Sequence, residues 1–199
     1  MASTNSRLPT VCLASVSPRR RELLEQIGVS HIVVGADIDE TALAGEAPRD
    51  YVLRMARQKA LTVRERGERL PVLAADTTVV LDGVIYGKPR DRADGLAMLA
   101  RLSGRTHEVL TAVAVADSRE VALRLSVSTV RFRILSSQEC AAYWETGEPR
   151  DKAGGYAVQG AAAVFIESLA GSYSGVMGLP LFETAELLRA AGVPYWEGR

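Results

Sequence analysis

Three consecutive arginines, Arg19, Arg20 and Arg21, follow Ser15-Val16-Ser17-Pro18 and lead into Glu22-Leu23-Leu24. Ser17 offers a hydroxyl N-cap and Pro18 suits a first helical position. The arginines therefore fall in the first turn of a predicted helix that ends near Gly28. A helix N-terminus carries partial positive charge and unpaired N–H groups, so cations there are unfavourable and an anion, phosphate above all, is favoured. The segment reads either as a phosphate site or as a basic surface turn with its arginines in water. Asp76 is the second candidate. It stands between the apolar runs Pro71–Ala75 and Thr78–Leu81, where a carboxylate is costly unless paired, hydrogen-bonded or metal-bound. That makes it the best candidate for a general base or metal ligand, with a turn-capping aspartate as the alternative.

Lys59 lies on the apolar stripe Val52, Met55, Ala56, Ala60 and Val63 of a helix predicted from Pro48 to about Arg66. A lysine on that face either snorkels to the rim or reaches a bound phosphate. Asp37, Asp39 and Glu40 gather at a strand exit and read as hard-cation ligands or as a solvated acidic loop. In Gly87-Lys88-Pro89 the glycine permits close backbone approach and Lys88 is free to meet an oxyanion. The stretch from Asp151 to Gly160 spaces Gly154, Gly155 and Gly160 among polar residues, which suits a loop that wraps a ligand.

The elements that must carry these groups alternate. Val11–Ala14, His31–Val34 and Pro71–Ala75 read as strands, the last uniformly apolar and so central. Asp82-Gly83 signals a hairpin to Val84–Tyr86, and Asp91–Arg101 is an amphipathic helix. His107–Ala116 and Val121–Phe132 are two long β runs joined as a ribbon. Ser136-Ser137-Gln138-Glu139 is a capping box that opens a helix to about Thr146. A strand at Val164–Leu169, a glycine-rich loop at Gly171–Gly178 and a closing helix at Leu179–Ala191 complete an α/β pattern with a mixed sheet.

At 199 residues, 47% hydrophobic and 24% charged, the chain can bury a substantial core. Its 24 basic and 24 acidic side chains cancel, which argues against a duplex nucleic-acid binder but leaves room for a local anion pocket. Cys12 and Cys140 alone give neither zinc spacing nor a disulfide framework. No apolar run reaches the ~18–20 residues of a membrane span, and Met1–Thr10 lacks the apolar stretch of a signal peptide. A cytosolic soluble protein is expected.

Read in order, Ser15–Leu24, Asp39-Glu40, Ala75-Asp76-Thr77, Gly87-Lys88-Pro89, Leu102-Ser103-Gly104, Asp151-Lys152-Ala153-Gly154, Gln159-Gly160 and Gly178-Leu179-Pro180 resemble the Maf family of nucleoside triphosphate pyrophosphatases, also called septum-formation-inhibitor proteins. The resemblance runs from about Leu13 to Leu188. Departures at Val16, Ala74 and Gly175 touch no charged group. It implies the fold of inosine-triphosphate pyrophosphatases, α/β with an elongated mixed sheet flanked by helices and two lobes about a central cleft. Residues 11–199 would form one such domain behind a flexible 1–10 segment, and the assembly would be a homodimer. The implied reaction cleaves a nucleoside triphosphate between its α and β phosphates with a divalent cation, Mg²⁺ or Mn²⁺. The resemblance makes Asp76 the catalytic carboxylate. It assigns Ser15, Arg20, Lys59, Lys88 and Glu40 to the triphosphate and metal, Glu40 and Asp76 being the metal ligands. Arg19, Thr77 and Gln159 match positions that separate subfamilies and look like the branch acting on dTTP and UTP. A Gln amide and a Thr hydroxyl can satisfy the imide edge of a pyrimidine. No nucleic-acid or membrane partner is expected. A cell-division interaction protein with a vestigial pocket is the alternative. An RNA-binding module would need stacking platforms that 6% aromatic content does not favour.

Overall fold

The structure is a computed structural model and describes residues 8–196. The described residues form seven strands and six α-helices, one helix more than the sequence reading gives, in the expected alternating pattern. The order is β1 (Val11–Leu13), α1 (Pro18–Gln26), β2 (His31–Val33), α2 (Pro48–Glu65), β3 (Val72–Leu81), β4 (Val84–Tyr86), α3 (Arg92–Leu102), β5 (Thr106–Ala116), β6 (Val121–Phe132), α4 (Ser137–Glu145), β7 (Ile166–Ala170), α5 (Tyr173–Met177) and α6 (Leu181–Ala190). Three 3-10 turns, Glu148–Asp151, Ala153–Gly155 and Ala161–Phe165, bridge α4 to β7. The strands form one sheet in the order β2-β1-β3-β5-β6-β7, with β4 on the remaining edge of β3. β1 pairs in parallel with β2 and β3, and the other pairings are antiparallel. The sheet is mixed and flanked by helices.

β3 distributes its side chains as a strand buried on both faces must. Val72, Ala74 and Val80 pack against Val52, Ala56, Ala60 and Val63 of α2. Leu73 and Ala75 meet Leu23 and Leu24 of α1 and Leu187 and Leu188 of α6. Val79 and Leu81 join a third cluster with Leu99 of α3, Tyr143 of α4 and Phe132 of β6. Thr77 lies on this second face between the α1–α6 cluster and the α3–α4 cluster.

Several boundaries differ from the sequence reading, each for a physical reason. The apolar runs on either side of Asp76-Thr77 are one strand, because β5 pairs with β3 without a break, Asp76 opposite Ala112 and Thr77 opposite Thr111. The strand expected at Val164–Leu169 begins at Ile166, after a 3-10 turn. The loop expected at Gly171–Gly178 contains α5, started by the Ser172 hydroxyl accepting from the Gly175 N–H. Of the flexible segment expected through Thr10, residues 1–7 lie outside the described residues. Thr10 itself is tied down, its N–H and hydroxyl both donating to the Ser30 carbonyl. The Asp82-Gly83 turn joins β3 to β4 with φ of 52° and 75°, as a two-residue hairpin requires. The Ser136–Glu139 capping box is formed in full.

Candidate active site

The site sits at an interruption in the sheet. On one edge of β3 the ladder to β1 reaches Leu73, and the ladder to β4 starts only at Val79. Between them no strand among the described residues covers β3, while its other edge stays paired to β5. Groups from both faces of the sheet therefore converge on Asp76 and Thr77. A cavity of about 620 Å³ opens there, and Ser15, Arg19, Arg20, Glu40, Lys59, Asp76, Thr77, Lys88 and Gln159 all line it. The groups expected to bind the triphosphate and metal are thus brought to one place, with Asp37 beside them, whereas Asp39 accepts from the Thr41 N–H and Arg21 lies 3.7 Å from Glu25, both off the cavity lining.

Asp76 is 7% exposed and Lys59 8%. Lys59 Nζ lies 2.7 Å from Asp76 Oδ1 and 2.5 Å from Glu40 Oε1, so one ammonium joins two carboxylates. The inward lysine of α2 is thus neither at the rim nor unpaired. Burial pushes the Asp76 carboxyl above its ordinary value, against the opposing pull of Lys59 and Arg20. Glu40 is half-exposed. Burial works to raise its carboxyl too, but the Lys59 hydrogen bond and the charges of Lys59, Lys88 and Arg20 prevail and hold it low. Two neighbouring carboxylates with opposite shifts divide naturally into a proton acceptor and a permanent anion.

Arg20 is the keystone of the arginine turn. Its Nε donates to the Gly178 carbonyl at 2.7 Å, Nη1 to Ser15 Oγ at 3.1 Å and Nη2 to Thr77 Oγ1 at 3.4 Å. Three of the five N–H donors of a guanidinium are thereby used within the protein, and two remain. Gly178 sits at φ 121°, a conformation open to glycine, and so turns its carbonyl to the arginine. Thr77 Oγ1 also lies 3.1 Å from Thr111 Oγ1, whose hydroxyl reaches the Gly175 carbonyl at 2.7 Å. Thr77 thus helps to aim Arg20 as well as facing the cavity. Ser17 takes the N-cap position of α1, but its hydroxyl makes no cap hydrogen bond, and no acidic residue stands in the first turn. The orphan N–H groups at this helix start stay available to an anion. Arg19 lies 3.8 Å from Asp151, which also pairs with Lys152. Among the described residues, Lys88 has no ion pair and the Gln159 amide no hydrogen bond; both side chains are exposed at the cavity.

Tyr51 and Arg54 were not singled out from the sequence, and both brace the acidic loop. Tyr51 Oη donates to the Glu40 carbonyl at 3.0 Å, and burial, then the charges of Asp76 and Glu40, push its phenol up to about 12. Arg54 holds the Glu46 carboxylate with Nε at 2.6 Å and Nη2 at 2.5 Å, and Nη2 also donates to the Thr41 carbonyl at 3.2 Å. The available signal was the spacing of Tyr51 and Arg54 ahead of Lys59 on one helix.

Glu40 and Asp76 supply hard carboxylate oxygens from two elements, close enough to share one cation partner, and this donor set suits Mg²⁺ or Mn²⁺. Among the described residues no three His, Cys, Asp or Glu side chains group as a metal cage, so the remaining ligands of such an ion would come from substrate and water. No helix among the described residues is long and apolar enough to cross a membrane.

Comparison with known proteins gives a consistent result. The family described as Maf-like protein matches residues 10–191. The dTTP/UTP pyrophosphatase of Alkalilimnicola ehrlichii is 56% identical over 193 residues, covering 94% of this chain and 95% of that protein. Proteins of the same name from Saccharophagus degradans and Methylobacillus flagellatus are 52% and 55% identical, covering 93% and 92% of this chain and 90% and 93% of their own lengths. Among solved structures, the Staphylococcus aureus Ham1 protein matches with a TM-score of 0.43 and 14% identity, over 61% of this chain and 71% of that one.

Proposed function

Since this chain belongs to the Maf family, we propose that it is a nucleoside triphosphate pyrophosphatase that hydrolyses dTTP and UTP to the monophosphate and pyrophosphate. The observation that carries this reading is the meeting of Asp76, Lys59 and Glu40 with Arg19, Arg20 and Lys88 around one cavity. Attack of water on the α phosphorus forms one P–O bond and breaks the bridge to the β phosphate. Pyrophosphate leaves, and the water proton must go to a base. Asp76 is that base: its carboxyl is buried, raised in pKa and fixed on a regular strand. Lys59 holds Asp76 and Glu40 in register. Arg20, Arg19, Lys88 and the free N–H groups of α1 neutralise the phosphate oxygens as charge shifts onto the leaving group. A divalent cation held by Glu40 and Asp76 supplies further neutralisation of those oxygens when bound. Gln159 and Thr77 face the base, the amide offering both a donor and an acceptor to a pyrimidine imide.

The test is pyrophosphate release from a panel of ribo- and deoxyribonucleoside triphosphates with Mg²⁺ or Mn²⁺, comparing wild type with Asp76→Asn. Turnover of dTTP and UTP that the substitution abolishes is expected. Equal turnover of every base sinks the specificity, and turnover retained by the variant sinks the mechanism. Two further parts belong to the same proposal. A reducing compartment is supported by Cys12 and Cys140, both buried and both free thiols, and a homodimer is checked by sedimentation.

A further inference from the structure

Gln159 rides on a turn, and the way that turn is held is separable from the rest of the pocket. The Gly160 N–H donates to the Ala157 carbonyl at 3.1 Å, closing a four-residue turn with Val158 and Gln159 at its corners. Both ends are pinned from behind. The Ala157 N–H donates to Tyr143 Oη at 3.3 Å. On the far side the Glu148 carboxylate accepts from the Ala161 N–H at 2.9 Å and the Ala162 N–H at 3.4 Å, the first donors of the 3-10 turn Ala161–Phe165. Tyr143 Oη in turn donates to Glu148 Oε1 at 2.6 Å, so the two pins form one unit. Tyr143 is fixed in the core, 4% exposed and edge-on to Phe165. A Cβ at position 160 would overlap the Glu148 carboxylate, so the glycine beside Gln159 is what lets the carboxylate come this close. Neither Tyr143 nor Glu148 lines the cavity.

We propose that Glu148, locked by Tyr143, is a positioning residue for base discrimination: it pre-sets the Ala157–Gly160 turn so that the Gln159 amide meets the base already oriented. The inference rests on the reading of Gln159 as the base-facing residue. Three donors converge on one carboxylate, so a neutral amide cannot replace it fully: Glu148→Gln keeps one acceptor oxygen but sets an NH₂ against N–H groups. A pre-set amide favours the base it matches over bases it does not, while leaving the grip on the phosphates alone.

The experiment measures kcat/KM for dTTP, UTP, dCTP and dGTP, together with inhibition by inorganic tripolyphosphate, in wild type, Glu148→Ala, Glu148→Gln, Tyr143→Phe, Gln159→Ala and the Glu148→Ala/Gln159→Ala double variant. The expected result is a fall of about tenfold in the dTTP:dCTP ratio for Glu148→Ala, with smaller falls for Glu148→Gln and Tyr143→Phe. Tripolyphosphate inhibition should stay as in wild type. Once Gln159 is removed, losing Glu148 should change the ratio no further. A uniform fall for all four nucleotides, or additive losses in the double variant, overturns the proposal, because a purely structural brace gives those patterns. Should Glu148→Ala fail to fold, the Tyr143→Phe ratio decides alone. If wild type favours a base other than a pyrimidine, the substrate reading falls, and the ratio for the favoured base still decides whether Glu148 positions the turn.

Discussion

At the end of the pocket proposed to hold the phosphates, the charged groups stand on regular elements: Asp76 in mid-strand on β3, Lys59 in the body of α2, Arg20 in the first turn of α1. At the end proposed to meet the base, Gln159 stands on an irregular turn held by hydrogen bonds to its backbone. The difference follows from the tasks. Phosphate chemistry needs charges fixed in a desolvated cluster, and strands and helices fix them with the same packing that makes the core. Base choice needs one amide at one angle, which a short braced turn can supply and which can change without disturbing the chemistry. Glu40 is intermediate, a charged group on a loop, and its loop carries the stronger brace, a two-donor clamp from Arg54 to Glu46.

The sharpest test of this division is Asp76→Asn. Activity should fall about 10³-fold or more on every base alike, as for loss of a general base and a charged ligand together. Folding raises the proton affinity of Asp76 above its ordinary 3.8, so native stability declines as pH climbs from there through the raised value. At neutral pH the variant should therefore melt no lower than wild type, and a clear drop in Tm would break the argument. Lys59→Met comes next. It leaves two carboxylates without their cation, and both activity and stability should fall, the latter by about 1–3 kcal/mol in chemical denaturation. Gln159→Ala should cost roughly 10- to 100-fold in preference for dTTP over dCTP and leave the slow turnover of the poor substrate as it was. A uniform loss would erase the distinction between the two ends. Tyr51→Phe should reduce kcat only a few-fold, because Arg54 still holds the acidic loop; a loss as large as that of Asp76→Asn would make the loop brace part of the chemistry. The smallest effect concerns neither end. His107 is buried against Tyr156 and Phe132, and burial pushes its imidazole down to about 4, so it is neutral in the folded protein. Its folded value lies below the unfolded 6.5. The stability it contributes is complete above pH 6.5 and is lost as pH falls toward 4, which thermal melts of His107→Gln against wild type across that window will show.

Much of the site was legible from residue type alone. An aspartate between apolar runs, a lysine on an apolar stripe and arginines in a helix start each break a local rule, and such breaks mark function. What stayed hidden was pairing at a distance. That Lys59 would join Glu40 to Asp76 depends on α2 crossing β3, which no local spacing encodes. The continuity of β3 through Asp76-Thr77 was hidden because two polar residues imitate a turn, and only the partner β5, more than thirty residues on, keeps them extended. Glu148 escaped because two of its three partners are backbone N–H groups, which every residue has, and the third is the hydroxyl of Tyr143 on the preceding helix. The overlap at Gly160 is visible only once the chain has folded back on itself.

The uninterrupted pairing of β3 with β5 has a consequence for motion. Asp76 lines an open cavity, yet its backbone belongs to a ladder of nine residue pairs between two long strands near the middle of the sheet. In hydrogen–deuterium exchange the ladder-bonded amides around Asp76 should rank with the slowest in the chain and exchange only through global opening, with or without nucleotide. Nucleotide-dependent protection should appear instead in the Gly35–Glu46 and Ala157–Ala162 segments. The proposed catalytic carboxylate would then be a stationary post, and adjustment to a ligand would fall to the loops beside it.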